Sequence, residues 1–274
     1  MGLFANVSCS RSTEPAFHRN GTLSKKLKAV FNDLEVSVDT LAQANEFAQK
    51  NLLRAGERWD KQEETPLYVL MHKKQAALID DLRALGMIDA VNPTQKSYTY
   101  ALLMGATKNS VKARLDYLAE LVSSGYTFSY IVLLGGERQL RDVEKEGLPE
   151  TVTTEAHMME YLCAQYPAFA NQKIILVNAP MIQKADGTFT RPTTDSTLVH
   201  FSQIAPQDGS CLVISNNPYN VRQTKVTERV LDQSRFPTQG AGRALEEGVV
   251  DIFVIMDELA RTIYEENVRF TAGK

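Results

Sequence analysis

Four segments of this sequence gather side chains able to bind or react with a polar ligand. In Gly105-Ala106-Thr107-Lys108-Asn109-Ser110, followed by Arg114, small residues permit close backbone approach and the cations could hold an anion. Gly135-Gly136-Glu137-Arg138 joins a guanidinium to paired glycines, which tolerate positive φ and can expose amide N–H groups. Arg191-Pro192-Thr193-Thr194-Asp195-Ser196-Thr197 holds more hydroxyls than a helix cap uses. Ser215-Asn216-Asn217-Pro218-Tyr219-Asn220-Val221-Arg222 adds an acid-capable phenol and a planar bidentate donor. Each segment also has a plain structural reading: a glycine turn, a helix cap or an Asn-Pro turn accounts for it singly.

Glu155 follows Thr153-Thr154 where a helix should begin. It is a candidate general base or hydroxyl-orienting group. A carboxylate there also gains dipole stabilisation with no function at all. No glycine run has the spacing of a dinucleotide or P-loop fingerprint, so no nucleotide cofactor is implied. Asp186-Gly187 reads as a turn, since further carboxylates at alternating positions are missing, and no Cys/His pair has zinc-site spacing. No metal site is expected.

These segments must be positioned by an alternation of short apolar runs and helical patterns. The spacing predicts strands over 98–104, 130–134, 173–177, 210–214 and 249–255, and helices over 110–123, 154–165, 195–204, 221–231 and 257–266. Nearly continuous apolar strands belong to a sheet buried on both faces, and the alternation implies crossovers in a mainly parallel sheet. The expectation is a Rossmann-like three-layer α/β domain over 93–274, with its polar site at the carboxyl ends of the strands. Ahead of it, 1–22 has no period and reads as a flexible tail. Residues 23–92 read as a helical extension: Leu27, Val30, Phe31 and Leu34, then Leu41, Ala44, Phe47 and Leu52, recur at helical spacing. Asp39 or Thr40 would cap the second of these helices, and a third over 75–85 would close at Gly86.

Taken in order, Met104-Gly105-Ala106, Lys112-Ala113-Arg114-Leu115, Leu133-Leu134-Gly135-Gly136, Thr154-Glu155-Ala156, Thr193-Thr194, Ile214-Ser215 and Arg222 resemble the SanA/YdcF/ElyC-type family of bacterial α/β proteins, over roughly residues 98–230. The resemblance implies a Rossmann-like fold whose polar cleft is lined by Gly105, Arg114, Gly135, Gly136, Glu155, Thr194, Ser215 and Arg222. The chemistry of that family is mostly unassigned and often linked to cell-envelope metabolism. This sequence departs from the pattern at Tyr219, where the family has a histidine, at Thr197 in place of an asparagine, and at Leu134 in place of a serine. Any acid–base role of that histidine is therefore not carried over.

A formal net charge of −3 argues against whole-protein attraction to nucleic acid or an anionic membrane. No apolar run approaches the roughly 20 residues of a membrane span, and the first residues have no signal-peptide core. Cys9, Cys163 and Cys211 are an odd, widely spaced set suited to a reducing compartment, so a soluble cytoplasmic protein is expected. The expected function is an enzyme acting on a small anionic or nucleotide-like substrate by hydrolysis or group transfer. Arg114 and Arg222 would clamp the anion, Glu155 and Tyr219 would serve the chemistry, and Arg138, Thr193 and Asn216 would add ligand contacts. A non-catalytic ligand-binding module on the same scaffold is the alternative, favoured by Tyr219.

Overall fold

Hydroxyl side chains and a proline start the N-terminal helices. In the computed structural model, which describes residues 16, 18, 20–54, 64–246, 248 and 250–273, Ser24 caps α1 (Lys25–Asp33) by accepting from the Leu27 amide. Thr40 and Gln43 form a capping box at α2 (Leu41–Asn51). Thr65 caps α3 (Pro66–Lys73), whose first helical position is Pro66. The run after α4 (Gln75–Ala84) turns at Gly86, which takes a φ of 81°. There follow β1 (Ser97–Met104), α5 (Lys108–Ser123), β2 (Thr127–Gly136), α6 (Asp142–Lys145), α7 (Glu155–Cys163), β3 (Ile174–Ala179), β4 (Ile182–Gln183), β5 (Phe189–Thr190), α8 (Thr194–Ile204), β6 (Cys211–Asn216), α9 (Asn220–Val230), β7 (Thr238–Arg243) and α10 (Ile252–Thr271).

These elements form two units. One takes in the described residues of Met1–Ile88 together with Gly248–Phe270; the other takes in those of Asp89–Glu247 and Thr271–Lys274. The first is helical. Leu27, Val30, Phe31, Leu41 and Ala44 are buried at the expected spacing. Its α10 carries Asp257, fully buried, which accepts from the Arg54 amide at 3.1 Å and from the guanidinium groups of Arg54 at 3.2 Å and Arg261 at 3.1 Å. The tail expected over 1–22 lies largely outside the described residues; within them, Thr22 bridges Thr40.

The second unit is a five-stranded sheet in the order β3-β2-β1-β6-β7, with every pairing parallel. Side chains alternate across it. Ala101, Leu103, Ile131, Leu133, Leu212 and Ile214 pack on one face against Val111, Leu115 and Leu118 of α5 and Met158 and Met159 of α7. Tyr100, Leu102, Met104, Val132 and Val213 pack on the other against Leu198 and Phe201 of α8 and Val226 of α9. Helices cover both faces, giving the three-layer Rossmann-like α/β architecture.

Two expectations are corrected. The described residues of 249–255 do not form a strand; from Ile252 they open α10, and the described residues of 248–270 group with the N-terminal helices instead of extending the α/β domain to 274. Buried Ile252, Ile255, Met256, Leu259 and Ile263 recur every three or four residues, a helical period that a short apolar run conceals. The last strand is β7, the polar Thr-Gln-Gly-Ala-Gly-Arg. Its glycines admit a close neighbour: a Cβ on Gly240 would stand 2.1 Å from Thr224 Oγ1 and 2.5 Å from Asn220 Oδ1. No helix among the described residues is long and apolar enough to cross a membrane.

Candidate functional site

The parallel register brings the carboxyl ends of the strands to one edge, with Met104 beside Leu134, Gly136 beside Ala179, and Leu103 beside Ile214. The connections leave β1 toward β2 on one side and arrive at β6 on the other. The reversal between β1 and β6 is the place where open α/β sheets form a ligand crevice. Gly105, Gly136 and Asn216 all stand at this end.

Arg114 occupies the reversal itself and is only 2% exposed. Its Nη1 donates to the carbonyls of Met104 at 2.7 Å and Gly105 at 3.0 Å, and its Nε donates to Asn216 Oδ1 at 2.9 Å. The guanidinium expected to clamp an anion therefore ties the end of β1 to the end of β6. Arginine suits this because a rigid fork satisfies several carbonyl oxygens at once.

Glu155 is placed by a local pairing. Gln139 bridges Thr154, the Leu140 amide donates to Thr153 O, and the Glu155 amide donates to Arg138 O at 2.9 Å. Thr154 caps α7, so Glu155 enters at its first position. The carboxyl, 14% exposed, lies against the start of the β1–α5 loop: a Cβ on Gly105 would meet Glu155 Oε1 at 3.1 Å. Arg138 Nη2 stands 3.5 Å from Glu155 Oε1. Burial pushes the Glu155 carboxyl above the ordinary glutamate range, and Arg138 and Arg114 only partly oppose it. Arg138 has a firmer partner in Glu144, which no motif singled out: its fork donates to Glu144 at 2.9 and 3.1 Å. Burial alone would raise the Glu144 carboxyl, but Arg138 and Arg141 hold it below its usual range.

The paired glycines do not form an amide nest. Neither they nor Gly105 has positive φ, and both are buried at the end of β2. Their use is close packing. A Cβ on Gly135 would meet Ala156 Cα at 2.8 Å, and one on Gly136 would meet Pro192 Cγ at 2.6 Å. Gly135 thus lets the start of α7 approach β2, and Gly136 admits the segment that leads to Thr193 and Thr194.

The hydroxyls there are mostly committed. Thr193 and Ser196 form a capping box at α8, and Thr197 donates to Thr194 O. Thr194 is half-buried at the first position of the helix, and none of these capping bonds engages its hydroxyl. Ser215 is buried and donates to Gln223 Oε1. Arg222 is 9% exposed in the first turn of α9. Tyr219 is half-buried at the N-cap of α9, after a cis Asn217–Pro218 peptide. The contacts described therefore join Gly105, Arg114, Asn216, Arg138 and Glu155 directly, with Gly135 and Gly136 as packing positions.

Other chemistry is confined. Cys163 and Cys211 are free and buried, and burial pushes their thiols up to about 11 and about 12. Among the described residues no group of three or more His, Cys, Asp or Glu side chains is arranged to hold a metal ion. A shallow depression of about 520 Å³ lies along α5, lined in part by Asp116, Glu120 and Arg243, the last residue of β7. Its charges face one another: Arg243 pairs with Glu120, and Asp116 accepts from Tyr166 and Lys112. Comparison of the chain with family models, curated proteins and solved structures returned no match.

Proposed function

We propose that this protein acts on a small anionic or nucleotide-like substrate at the carboxyl ends of β1, β2 and β6, by hydrolysis or group transfer, with Glu155 as its acid–base group. The observation that carries this reading is the Glu155 carboxyl itself: buried, raised in proton affinity, and set against Gly105 beside the sheet reversal. A carboxyl so tuned takes the proton of an attacking water or hydroxyl as the new bond forms, then returns it to the leaving oxygen. Arg114, committed to Met104 O, Gly105 O and Asn216 Oδ1, does not serve as the anion clamp in this scheme. The first-turn amides of α5 do, because Thr107 makes no side-chain cap bond to them and a helix N-terminus favours an anionic oxygen.

A binding module without turnover is the second reading. It is supported by the commitment of the Thr193, Ser196, Thr197 and Ser215 hydroxyls to protein partners. A thermal-shift screen of nucleotides and sugar phosphates tests both, since a ligand at 100 times its Kd stabilises by about 2.7 kcal/mol. The enzyme reading expects a hit that is turned over by the wild type and not by Glu155→Gln. Binding without turnover supports the module. A hit whose affinity and turnover survive Glu155→Gln places the chemistry elsewhere.

A further inference from the structure

We infer that Glu144 is a positioning residue of this site: by engaging the Arg138 fork it withholds that guanidinium from Glu155 and keeps the Glu155 carboxyl free to meet a hydroxyl of the ligand. The inference rests on the proposed role of Glu155 and adds what sets that role.

The geometry is unequal. Arg138 Nη1 and Nη2 meet the two oxygens of Glu144 at 2.9 and 3.1 Å, the fork-to-fork arrangement that is strongest for this pair. Arg141 adds its backbone amide and its Nε to Glu144 Oε2, each at 3.2 Å. The Glu144 side chain is 3% exposed, so its carboxylate is largely closed off from water. Glu155 has from the same guanidinium a single approach at 3.5 Å, too long for a good hydrogen bond. Two carboxylates thus share one cation, and the sharing is settled in favour of Glu144.

The charged groups that face Glu155 are Arg138, from the segment after β2, Glu144 of α6 and Arg114 of α5. Arg114 is spent on Met104 O, Gly105 O and Asn216 Oδ1. With Arg138 engaged chiefly by Glu144 and only a 3.5 Å approach left to Glu155, the carboxyl is left short of counter-charge, in keeping with its raised proton affinity and with the lowered one of Glu144. The ligand group that suits such a carboxyl is one that donates to it, a hydroxyl or an amine. A bare phosphate oxygen would meet like charge there. The substrate class that fits carries its anion at the α5 amides and a hydroxyl toward Glu155, as a sugar phosphate or nucleotide does.

The test reads Glu155 directly. Glutamate labelled with 13C at Cδ is introduced into the full chain, Glu155→Gln assigns the resonance, and the remaining titration is followed in ligand-free protein. Glu144→Gln is expected to move the Glu155 midpoint to lower pH, because it removes a like charge and releases Arg138. Arg138→Met is expected to move it to higher pH. A midpoint that stays or rises in Glu144→Gln, or stays or falls in Arg138→Met, overturns the positioning role. Thermal melts establish that each variant is folded, and if Glu144→Gln is not, Glu144→Asp, which keeps the charge but shortens the reach to the Arg138 fork, takes its place with the same expected direction and the same overturning result. A wrong direction in the titration overturns this inference whatever the ligand screen finds, whereas an empty screen overturns the ligand site whatever the titration shows.

Discussion

Arg114 Nε and Asn216 Oδ1 are 2.9 Å apart, and that bond joins the ends of β1 and β6 across the place where the sheet order reverses. Arg114 also carries Met104 O and Gly105 O, so one side chain from α5 fixes the separation of the two strand ends between which a ligand crevice belongs.

Replacing this arginine by lysine is expected to damage the fold. Arg114→Lys keeps the charge but loses the planar fork, stranding Asn216 Oδ1 and one carbonyl in a partly buried setting. Hydrogen bonds to a charged group contribute about 1.5–3 kcal/mol each, so urea unfolding should show a loss of about 2–4 kcal/mol. A change below about 0.5 kcal/mol with weakened ligand binding would restore Arg114 as an anion clamp.

Glu155 should trade stability for its chemistry. Its folded proton affinity is raised by burial, so its contribution is fully favourable below the ordinary glutamate range and is lost as pH rises through the higher folded value. Glu155→Gln is therefore expected to be more stable than the wild type at pH 8 and to lose that advantage on acidification toward pH 5. Urea midpoints at the two pH values check this, and a gap independent of pH would contradict it.

Gly135→Ala should separate packing from catalysis only poorly. The new methyl stands 2.8 Å from Ala156 Cα, a backbone atom, so the start of α7 must shift. Overpacking of this kind costs about 1–3 kcal/mol. Since Ala156 adjoins Glu155, ligand affinity or turnover should fall as well. A variant that melts lower but handles ligand normally would show that the α7 start is not part of the site.

The helical unit has its own acid-sensitive pin. Burial alone would raise Asp257, yet the bonds from Arg261 and Arg54 hold it below its usual range. Its stabilisation is thus present above the ordinary aspartate range and lost as pH falls through the lowered folded value. Asp257→Ala should cost about 3–5 kcal/mol by leaving buried arginine charge uncompensated. Far-UV circular dichroism on urea titration measures it; a loss under about 1 kcal/mol would mean that water solvates both arginines.

The sheet was legible because its strands are apolar on both faces, and the loops at their ends could be named without coordinates. What escaped was set by contacts distant in sequence. Thr238–Arg243 has no apolar run and becomes a strand because Gly240 accepts Thr224 and Asn220 against it. The run opening α10 is too short to separate helix from strand by period. Pro66 reads as punctuation, although Thr65 before it made a proline-started helix readable. At the strand ends the fold brings Gly105, Arg114, Arg138 and Glu155 together, but the partners of the two arginines were not readable. An arginine beside glycines looks the same in sequence whether its fork meets a phosphate or two carbonyls. Glu144, six positions after Arg138, carried no signal, because a carboxylate in a charged turn is ordinary.

The return of α10 to the helical unit makes the α/β unit an insertion. The chain leaves the helical unit after Ile88 and re-enters it at Gly248. During synthesis, therefore, the sheet and its helices emerge from the ribosome as a complete set while α1 to α4 still lack the helix that supplies Asp257. Domains generally fold as units in order of emergence. Here α1 to α4 precede the inserted unit and α10 follows it, so the helical unit is completed only after the α/β unit.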